Sequence, residues 1–514
     1  MWFLYDNIVA IQIAVICSAF AWLYGGTVAA ALTPTIPWLL ALLFEFMLCF
    51  PQRHSGETTY EARERMWSAI KRDPLTWIAL ALMALLLIPL ANKALCPVCD
   101  YPLIAFDGKS AAPPVPYLPS CVNRMHHLNV VLWFIPALTA MMAVKHSLLK
   151  RGKRMVVELM VWNGFALSLL GIVQAAASAP GPLWTDLHKV YYFSTFGYPN
   201  MAGDYFTTLF ALAVATWRWK VEEARNLRNA KDKESVTKAN HKIFWSKHIM
   251  LVPAVFFFVS ALMTLSRATI LLAGGLAILF YAHALTTFLA RMHRAKRVKA
   301  ACANLFAFVL IATLVFVFLS DPVQNKVLKG SSFPGHLKKE WNSFDMKDAI
   351  DRTSGQGQYH ARLAVRVWKD HPIFGVGGWG YKHLSIPKMT DEEYKNIQRT
   401  GGANVHNDFL QFLAEHGIAG VALILVIIAM LVWPLGRVWK ALIDSVRFTK
   451  PKDQPPKPIA IFALPAPVFC ILLSAVATLL HSLGDCPLRS PAVLSLFFVS
   501  LASMDGFMPK IKEK

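Results

Sequence analysis

Long apolar runs separated by short polar segments dominate the hydrophobic pattern of this chain. A helix that crosses a bilayer needs about 20 apolar residues, because its backbone polar groups must be satisfied within the segment. By this criterion the pattern predicts twelve transmembrane helices, of which the second and sixth are the weakest. They are centred on residues 7–26, 31–50, 75–94, 128–146, 157–176, 203–217, 248–264, 268–290, 301–320, 418–435, 459–481 and 490–507. The first run lacks a small-residue cleavage site after it, so we interpret it as a retained helix.

The composition agrees with this interpretation. The 514 residues are 55% hydrophobic and only 16% charged, whereas soluble domains carry about 25% charged residues. The net charge of +21 raises the question of nucleic-acid binding. The basic residues are divided among the loops between apolar runs, however, and do not form the contiguous basic face that such binding needs. The predicted fold class is therefore an all-α polytopic membrane protein of about twelve transmembrane helices.

The distribution of lysine and arginine predicts the orientation. With a cytoplasmic N-terminus, the inward loops and the C-terminal tail hold 33 of the 52 basic side chains. Because positive loops face the cytoplasm, both termini are predicted to be cytoplasmic. The chain then divides into N-terminal membrane helices (1–320), a large outward loop (321–417) and C-terminal membrane helices with a short tail (418–514). Near-helical spacing of apolar residues in that loop predicts a mostly helical subdomain; these residues are Tyr359, Leu363, Val367 and Ile373.

The densest group of polar residues lies at 401–420, where two glycines precede an amphipathic helix that leads into a predicted span. Asn404 is a possible cap for this helix. The pattern places His406 and Asn407 on its first turn, at the boundary between membrane and water. A histidine there can accept a proton near neutral pH. The alternative is that His406 only anchors the helix at the interface.

A second feature is Arg267, which lies between two apolar runs at the outward end of a predicted helical hairpin. An arginine near lipid usually pairs with another group or marks a substrate path. Its planar guanidinium binds two oxygens at once and so suits a diphosphate. The alternative is an arginine that ends a helix and extends its charge into water.

A third feature is a basic strip in the long loop, formed by Arg352, Arg362, Arg366 and Lys369. Arg362 and Arg366 are four residues apart and would share a helix face. The glycine-rich segment 371–380 that follows permits close approach of the backbone to an anionic ligand. The outward loops contain no HExxH motif and no clustered aspartate pair, so neither a metal nor another cofactor is predicted.

Cysteines give a separate hypothesis. Cys96, Cys99 and Cys121 share one outward loop, and Cys486 lies in another outward turn. Outside the cytoplasm cysteines are usually oxidised, so we expect a disulfide among these four; a zinc site and free thiols are the alternatives. The polar segment 481–489 around Cys486 either lines the same cavity as the features above or only terminates two helices.

Several of these motifs resemble one family. The pair His406-Asn407, followed after nine residues by Gly-Ile-Ala-Gly at 417–420, is similar to the signature of the bacterial O-antigen ligases. That superfamily also includes polysaccharide polymerases and protein O-oligosaccharyltransferases. The Ser266-Arg267 pair, the segment His-Pro-Ile-Phe-Gly-Val-Gly at 371–377 and the predicted topology are similar to the same family. The resemblance covers roughly residues 190–435, and the N-terminal helices only by topology.

The resemblance implies transfer of a glycan from undecaprenyl diphosphate to an acceptor hydroxyl of a glycan or of lipid A-core. The reaction would take place on the periplasmic side of the bacterial inner membrane, without metal or nucleotide. His406 would be the general base and Arg267 a ligand of the diphosphate, with Asn407 also expected to bind substrate. The second arginine of the family falls near Gln358 here, which leaves Arg352, Arg362 or Arg366 as its possible substitute.

Among family members, the short C-terminal tail favours a ligase or a polymerase of surface polysaccharide over a protein-glycosylating enzyme. The rival class is a transporter or flippase of polysaccharide or lipid-linked sugar, with the long loop as a gate. Transporters often show inverted repeats and charges at mid-membrane. This chain shows no repeat, and its notable charges cluster at the predicted outer boundary. The pattern therefore favours an enzyme.

Overall fold

The computed structural model describes residues 2–27, 35–92, 113–185, 192–228, 248–295, 359–391, 393–394, 404–447 and 464–508. These residues form helices and no strand, apart from one isolated bridge between Phe193 and Phe196. The helices, numbered in chain order, are α1 Trp2–Trp22, α2 Thr35–Cys49, α3 Thr59–Arg72, α4 Pro74–Ala91, α5 Arg124–Ser147, α6 Lys150–Ala176, α7 Pro199–Arg228, α8 Leu251–Met263, α9 Arg267–Ala295, α10 359–370, α11 Gly380–Leu384, α12 Asp408–Arg447, α13 Ala466–His481 and α14 Pro491–Ser503.

Eleven of the twelve predicted spans coincide with these helices, and the ninth, 301–320, lies outside the described residues. Within the described parts of the chain, five helices are long and apolar enough to cross a membrane: α4, α5, α6, the first 20 residues of α9, and α12 as far as Gly436. Five shorter apolar helices accompany them. The all-α membrane fold is thus supported, whereas the number of twelve spans and the side on which the long loop lies stay predictions.

Helix α7, which carries the sixth predicted span, is at the centre of the described bundle. It packs against α6, α8, α9, α13 and α14. Its hydropathy is weak because it buries polar side chains, among them Asp204, Thr207 and Thr208. Asp204 and Thr208 hydrogen-bond to residues of α13. Burial of hydrogen-bonded polar groups explains why this central helix has a weaker apolar signal than its neighbours.

The long loop contributes a subdomain, here called the loop subdomain (residues 359–391), which packs on the start of α12. Leu363 and Val367 of α10 are buried against Val376 and Tyr381 of the loop and Ala414 of α12. The predicted helical subdomain is therefore present over these residues. The predicted position of Ile373 was wrong: α10 ends at residue 370, and Ile373 is 61% exposed.

Helix α12 is broken at Gly417, whose φ of 64° and ψ of −170° are accessible essentially to glycine alone. A break in a helix leaves carbonyl groups without donors on one side and N–H groups without acceptors on the other. Segment 372–377 of the loop subdomain satisfies both sets. The N–H groups of Val376 and Gly377 donate to the carbonyls of Ala414 and Glu415.

On the other side of the break, the N–H groups of Ile418 and Ala419 donate to the carbonyls of Pro372 and Ile373, at 3.0 Å each. The approach leaves no room for a side chain at Gly417, since a Cβ atom there would lie 2.2 Å from the Ile373 carbonyl oxygen. The two glycine-containing motifs of the sequence are therefore halves of one structural joint, which fixes the first segment of α12, residues 408–416.

Candidate active site

His406 lies in the turn that precedes α12, and its backbone adopts the left-handed conformation with φ of 53°. This conformation is uncommon outside glycine, and at ligand sites it often orients a side chain. Here it brings the Nδ1 atom of His406 to 3.2 Å from Oδ1 of Asp485. The His406 side chain is 42% exposed and the Asp485 side chain 6% exposed. An accessible imidazole is thus held from behind by a buried carboxylate.

Asp485 lies in the turn between α13 and α14, where several donors fix its carboxylate. The backbone N–H of Cys486 donates to it over 2.8 Å, and the Tyr198 hydroxyl donates over 3.1 Å. The side-chain amide of Asn200 is a third donor. Tyr198 and Asn200 belong to the start of α7, so three distant segments of the chain meet at this carboxylate.

The pairing changes the acidity of both groups. The hydrogen bond with Asp485 raises the pKa of His406 above its ordinary value of 6.5, against the opposing effect of burial. Burial acts to raise the pKa of Asp485, but the hydrogen bond and charge of His406 bring it below its ordinary value. Asp485 therefore stays ionised and stabilises the protonated form of His406, which is the arrangement that a histidine base needs.

The residues next to His406 anchor it to the same turn. Asn407 caps α12, since its Oδ1 accepts from the N–H of Leu410 at 3.0 Å, and its Nδ2 donates to the Leu483 carbonyl at 2.9 Å. The expected cap, Asn404, does not have this function. The buried Asp408 accepts from the Ser482 hydroxyl at 3.0 Å. Both the oxygen and the nitrogen of the Asn407 side chain are thus hydrogen-bonded within the protein.

The sequence left the function of segment 481–489 open. In the structure this segment fixes His406 and the two residues after it through hydrogen bonds. Beneath it lies a second, fully buried pair in which Nδ1 of His481 is 3.0 Å from Oδ1 of Asp204. The hydroxyl of Thr478 donates to the same carboxylate at 2.8 Å. The His481 carbonyl also accepts from the N–H of Asp485. This pair joins α7 to α13 directly below the turn that carries Asp485.

The loop subdomain contributes a third histidine. The ring of His360 on α10 lies 6.0 Å from the ring of His406 in an edge-on arrangement, and its Nδ1 is 3.1 Å from the Tyr381 hydroxyl. Burial, together with the charge of His406, lowers the pKa of His360 to about 4. His360 is therefore neutral at physiological pH and presents no competing charge to His406.

Arg267 is the first residue of α9 and is half-buried. The turn before it contains Leu265 with φ of 58°, and the Ser266 hydroxyl accepts from the hydroxyl of Thr269 at 2.9 Å. Thr269 packs directly on Gly203, where a Cβ atom would lie 2.3 Å from its hydroxyl oxygen. The start of α9 is therefore at the same end of α7 as Tyr198 and Asn200, the partners of Asp485.

The structure describes part of the predicted basic strip. Arg362 and Arg366 share a face of α10, as expected, and this face is less buried than the one that carries His360, Leu363 and Val367. Arg366 is bound by Glu393 at 2.8 Å, whereas Arg362 is exposed. Arg352 lies outside the described residues. The expected contact of Arg352, Arg362 or Arg366 with the diphosphate therefore stays a prediction.

The described cysteines contradict one part of the disulfide hypothesis and leave the rest untested. Cys486 is a buried free thiol 3.4 Å from Oδ1 of Asp485, so its inclusion among the disulfide candidates was wrong. Its position in the packed turn of segment 481–489 explains this outcome. The Cys121 sulfur is buried 3.1 Å from the Pro89 carbonyl. Cys96 and Cys99 lie outside the described residues, and a bond that involves them stays a prediction.

An apolar cavity of about 180 Å³ lies between α5, α12 and α14, beside Asp408 and Arg489. Its walls include Phe134, Phe412 and Phe497. Asp408, Glu415 and Arg489 also line it, and Arg489 is ion-paired with Glu415 and stacks on Trp379 at 4.5 Å. The cavity is therefore apolar along its walls and includes charged groups adjacent to the turn that holds His406.

Part of the chain matches a known protein family. Residues 252–425 match the family model described as O-Antigen ligase. Over these residues the chain is similar to the O-antigen ligases. The match contains both Arg267 and His406, and it ends before Asp485. No match to a curated protein was found.

The family assignment confirms the resemblance seen in the sequence motifs. Together with the apolar helices, it supports a multi-pass membrane glycosyltransferase of the O-antigen ligase or polymerase type, with lipid-linked glycans and acceptors as its general class of substrates. Sequence reasoning missed Asp485 as the partner of His406, Tyr198 and Asn200 as the donors that hold Asp485, and His360 as a neighbouring ring. Their signal was polar residues next to apolar runs, at 196–200 and 481–489, but only the fold shows which of them meet.

Proposed function

We propose that this ligase-family protein transfers a glycan from undecaprenyl diphosphate to an acceptor hydroxyl on the periplasmic side of the inner membrane. It would act as an O-antigen ligase or a surface-polysaccharide polymerase, with His406 as general base and Arg267 as a ligand of the diphosphate, and without a metal. The observation that carries the proposal is the pairing of an accessible His406 with a buried, ionised Asp485.

In this proposal, each ring nitrogen of His406 and the Asp485 carboxylate has its own role in the proton transfer. In the working tautomer, Nδ1–H of His406 donates to Asp485, which leaves the lone pair of Nε2 free for a proton. Nε2 removes the proton of the acceptor hydroxyl as the acceptor oxygen bonds to the anomeric carbon of the glycan. The bond from that carbon to the diphosphate oxygen breaks, and the electron pair leaves with the diphosphate. Asp485 stabilises the imidazolium that forms.

Arg267 supplies the complementary charge. Its position at the start of α9, beside the end of α7 that contacts Asp485, supports a location near the departing diphosphate. A guanidinium binds two phosphate oxygens in parallel and favours the charge that develops on the leaving group. Arg352, Arg362 and Arg366 stay candidates for the second phosphate ligand.

The adjoining cavity supports a lipid-linked donor. Its aromatic and aliphatic walls suit an isoprenoid chain, and it adjoins the turn that holds His406. Apolar pockets with a few convergent polar groups are the usual form of a lipid or small-molecule site. We propose that the first isoprene units of the donor lie here, which would hold the diphosphate at the level of His406.

The test is glycan transfer by the purified protein in detergent or nanodiscs, with an undecaprenyl-diphosphate glycan as donor and glycan or lipid A-core acceptors. We expect a glycosylated acceptor and released undecaprenyl diphosphate, in the presence and in the absence of a chelator. Loss of transfer on chelation would disprove metal independence. Movement of intact donor across proteoliposome membranes without transfer would instead favour the transporter alternative.

A further inference from the structure

His406, Asp485 and Cys486 bring together three different ligand atoms. A ring nitrogen, a carboxylate oxygen and a thiol sulfur all lie within 4.8 Å of one another. Nitrogen, oxygen and sulfur in one group are the ligand set that zinc prefers in proteins. Catalytic zinc sites commonly have three protein ligands and leave the fourth position open. The group therefore has the composition of an open zinc site.

The distances also approach those of a tetrahedral site. Zinc binds nitrogen and oxygen at about 2.0–2.2 Å and sulfur at about 2.3 Å, so neighbouring ligand atoms lie about 3.3–3.6 Å apart. Nδ1 of His406 is 3.2 Å from Oδ1 of Asp485, and the Cys486 sulfur is 3.4 Å from the same oxygen. Two of the three edges thus have nearly the required length. Only the edge between nitrogen and sulfur, which is at most 4.8 Å, has to shorten.

We propose that His406, Asp485 and Cys486 form an inhibitory Zn²⁺ site, in which the metal captures the general base and stops glycan transfer. The inhibitory effect rests on the proposed function of His406, whereas the metal binding does not. Asp485 is already fixed by Tyr198 and the Cys486 backbone, so the metal would find one of its ligands preorganised.

Inhibition follows from the tautomer that the metal imposes. Zinc takes the lone pair of Nδ1, so the proton of Nδ1 moves to Nε2, and Nε2 can no longer accept the proton of the acceptor. The thiol of Cys486 loses its proton to solvent as the zinc–sulfur bond forms. Asp485, now a metal ligand, also no longer stabilises an imidazolium. One zinc ion thereby removes both components of the base.

The ligand set predicts which metals act. Mg²⁺ and Ca²⁺ require mostly oxygen ligands, and this group offers one oxygen against one nitrogen and one sulfur. We therefore expect Zn²⁺ to inhibit transfer and Mg²⁺ to have no effect at the same concentration. Because Cys486 also contacts Asp485, the inhibition of each variant is measured relative to its own metal-free rate, which separates zinc binding from any change in basal activity.

The experiment uses the purified, chelator-treated full chain and Zn²⁺ alone as probe, in a calorimetric titration and in parallel transfer assays. Wild type is compared with Cys486→Ser and with the matched control Cys49→Ser, which changes an exposed cysteine outside the site. We expect one zinc ion per wild-type chain. For Cys486→Ser we expect at least about a 10–100-fold loss of zinc affinity, with an equal rise in the zinc concentration that half-inhibits transfer.

Three outcomes would overturn the proposal: no zinc binding by the wild type, equal zinc affinity in wild type and Cys486→Ser, or zinc binding that leaves transfer unchanged. A His406→Asn variant, titrated with zinc but not assayed, gives a second measurement should Cys486→Ser fold poorly, and it has to lose zinc affinity as well. Failure of the metal-free wild type to transfer glycan would count against the proposed function alone, because the zinc titration is independent of activity.

Discussion

His406 and Asp485 are placed so that only the imidazole is accessible, and their replacement should therefore have different effects. His406→Ala removes the base, so we expect a fall in kcat on the order of 10²–10⁴-fold, with donor binding nearly unchanged. The measurement is glycan transfer alongside binding of the labelled donor. Near-normal transfer by His406→Ala would show that another group takes the proton. Arg267→Lys is the complementary variant, and it should weaken donor binding because an ammonium lacks the bidentate fork.

The hydrogen bond that His406 donates to Asp485 gives the pH dependence of transfer its sign. A base has to be unprotonated in order to act, so activity should fall as the pH drops through the pKa of His406, which Asp485 raises above 6.5. Asp485→Asn removes the carboxylate charge while keeping the shape of the side chain. We therefore expect the acidic limb of the kcat/KM profile, measured in chelator, to move to lower pH, together with a lower maximum rate. An unmoved limb would show that the titrating group is not His406.

At this scale the sequence indicated the candidate base but not the residues that hold it. His406 was identified because a histidine beside an amphipathic helix can exchange protons, and its motif resembles that of a family. Asp485 is 79 positions away and Tyr198 is 287 positions from Asp485. Neither pairing has a local signal in the chain. Asn407 likewise has a distant partner, the Leu483 carbonyl, which spacing does not reveal, and its expected contact with substrate stays a prediction.

At the scale of elements, the break in α12 and segment 372–377 depend on each other, so a substitution that disturbs one should disturb the other. Gly417→Ala places a Cβ atom against the Ile373 carbonyl and forces a non-glycine residue into a conformation that costs about 1–3 kcal/mol. We expect a lower melting temperature and reduced transfer, since the joint fixes the segment that follows His406. Thermal unfolding in detergent measures the first effect.

The matched control is Gly436→Ala in the same helix, where an added Cβ atom meets nothing within 4 Å. Alanine has the higher helix propensity by about 1 kcal/mol, so this variant should be neutral or slightly more stable. Equal effects of the two substitutions would mean that the Gly417 joint has no special importance. The sequence predicted α12 from its apolar run, but a break within an otherwise continuous helix is visible only when its hydrogen-bond partners are known.

At the scale of the whole molecule, the helices were predictable and their arrangement was not. An apolar run indicates from its own residues that it is removed from water, which explains why eleven predicted spans coincide with helices. The weakly apolar run at 203–217 lies in α7, the central helix. Its polar residues, such as Asp204, are hydrogen-bonded by side chains of α13, which the run by itself does not show. The site forms where α7, the loop subdomain, α12 and the turn after α13 meet. This arrangement depends on the whole fold and has no signal in any one apolar run.

The orientation of this assembly is the remaining prediction of the whole molecule. The excess of basic residues in the inward loops predicts that the loop subdomain is periplasmic and that segment 51–74 is cytoplasmic. Single cysteines at two exposed positions test this, Lys369→Cys on α10 and Ser55→Cys before α3. A membrane-impermeant thiol reagent applied to intact spheroplasts should label Lys369→Cys, and should label Ser55→Cys only after the membrane is permeabilised. The unsubstituted chain measures the background from its native cysteines. Labelling of Ser55→Cys alone from outside would reverse the topology, and would place His406 and its acceptor in the cytoplasm.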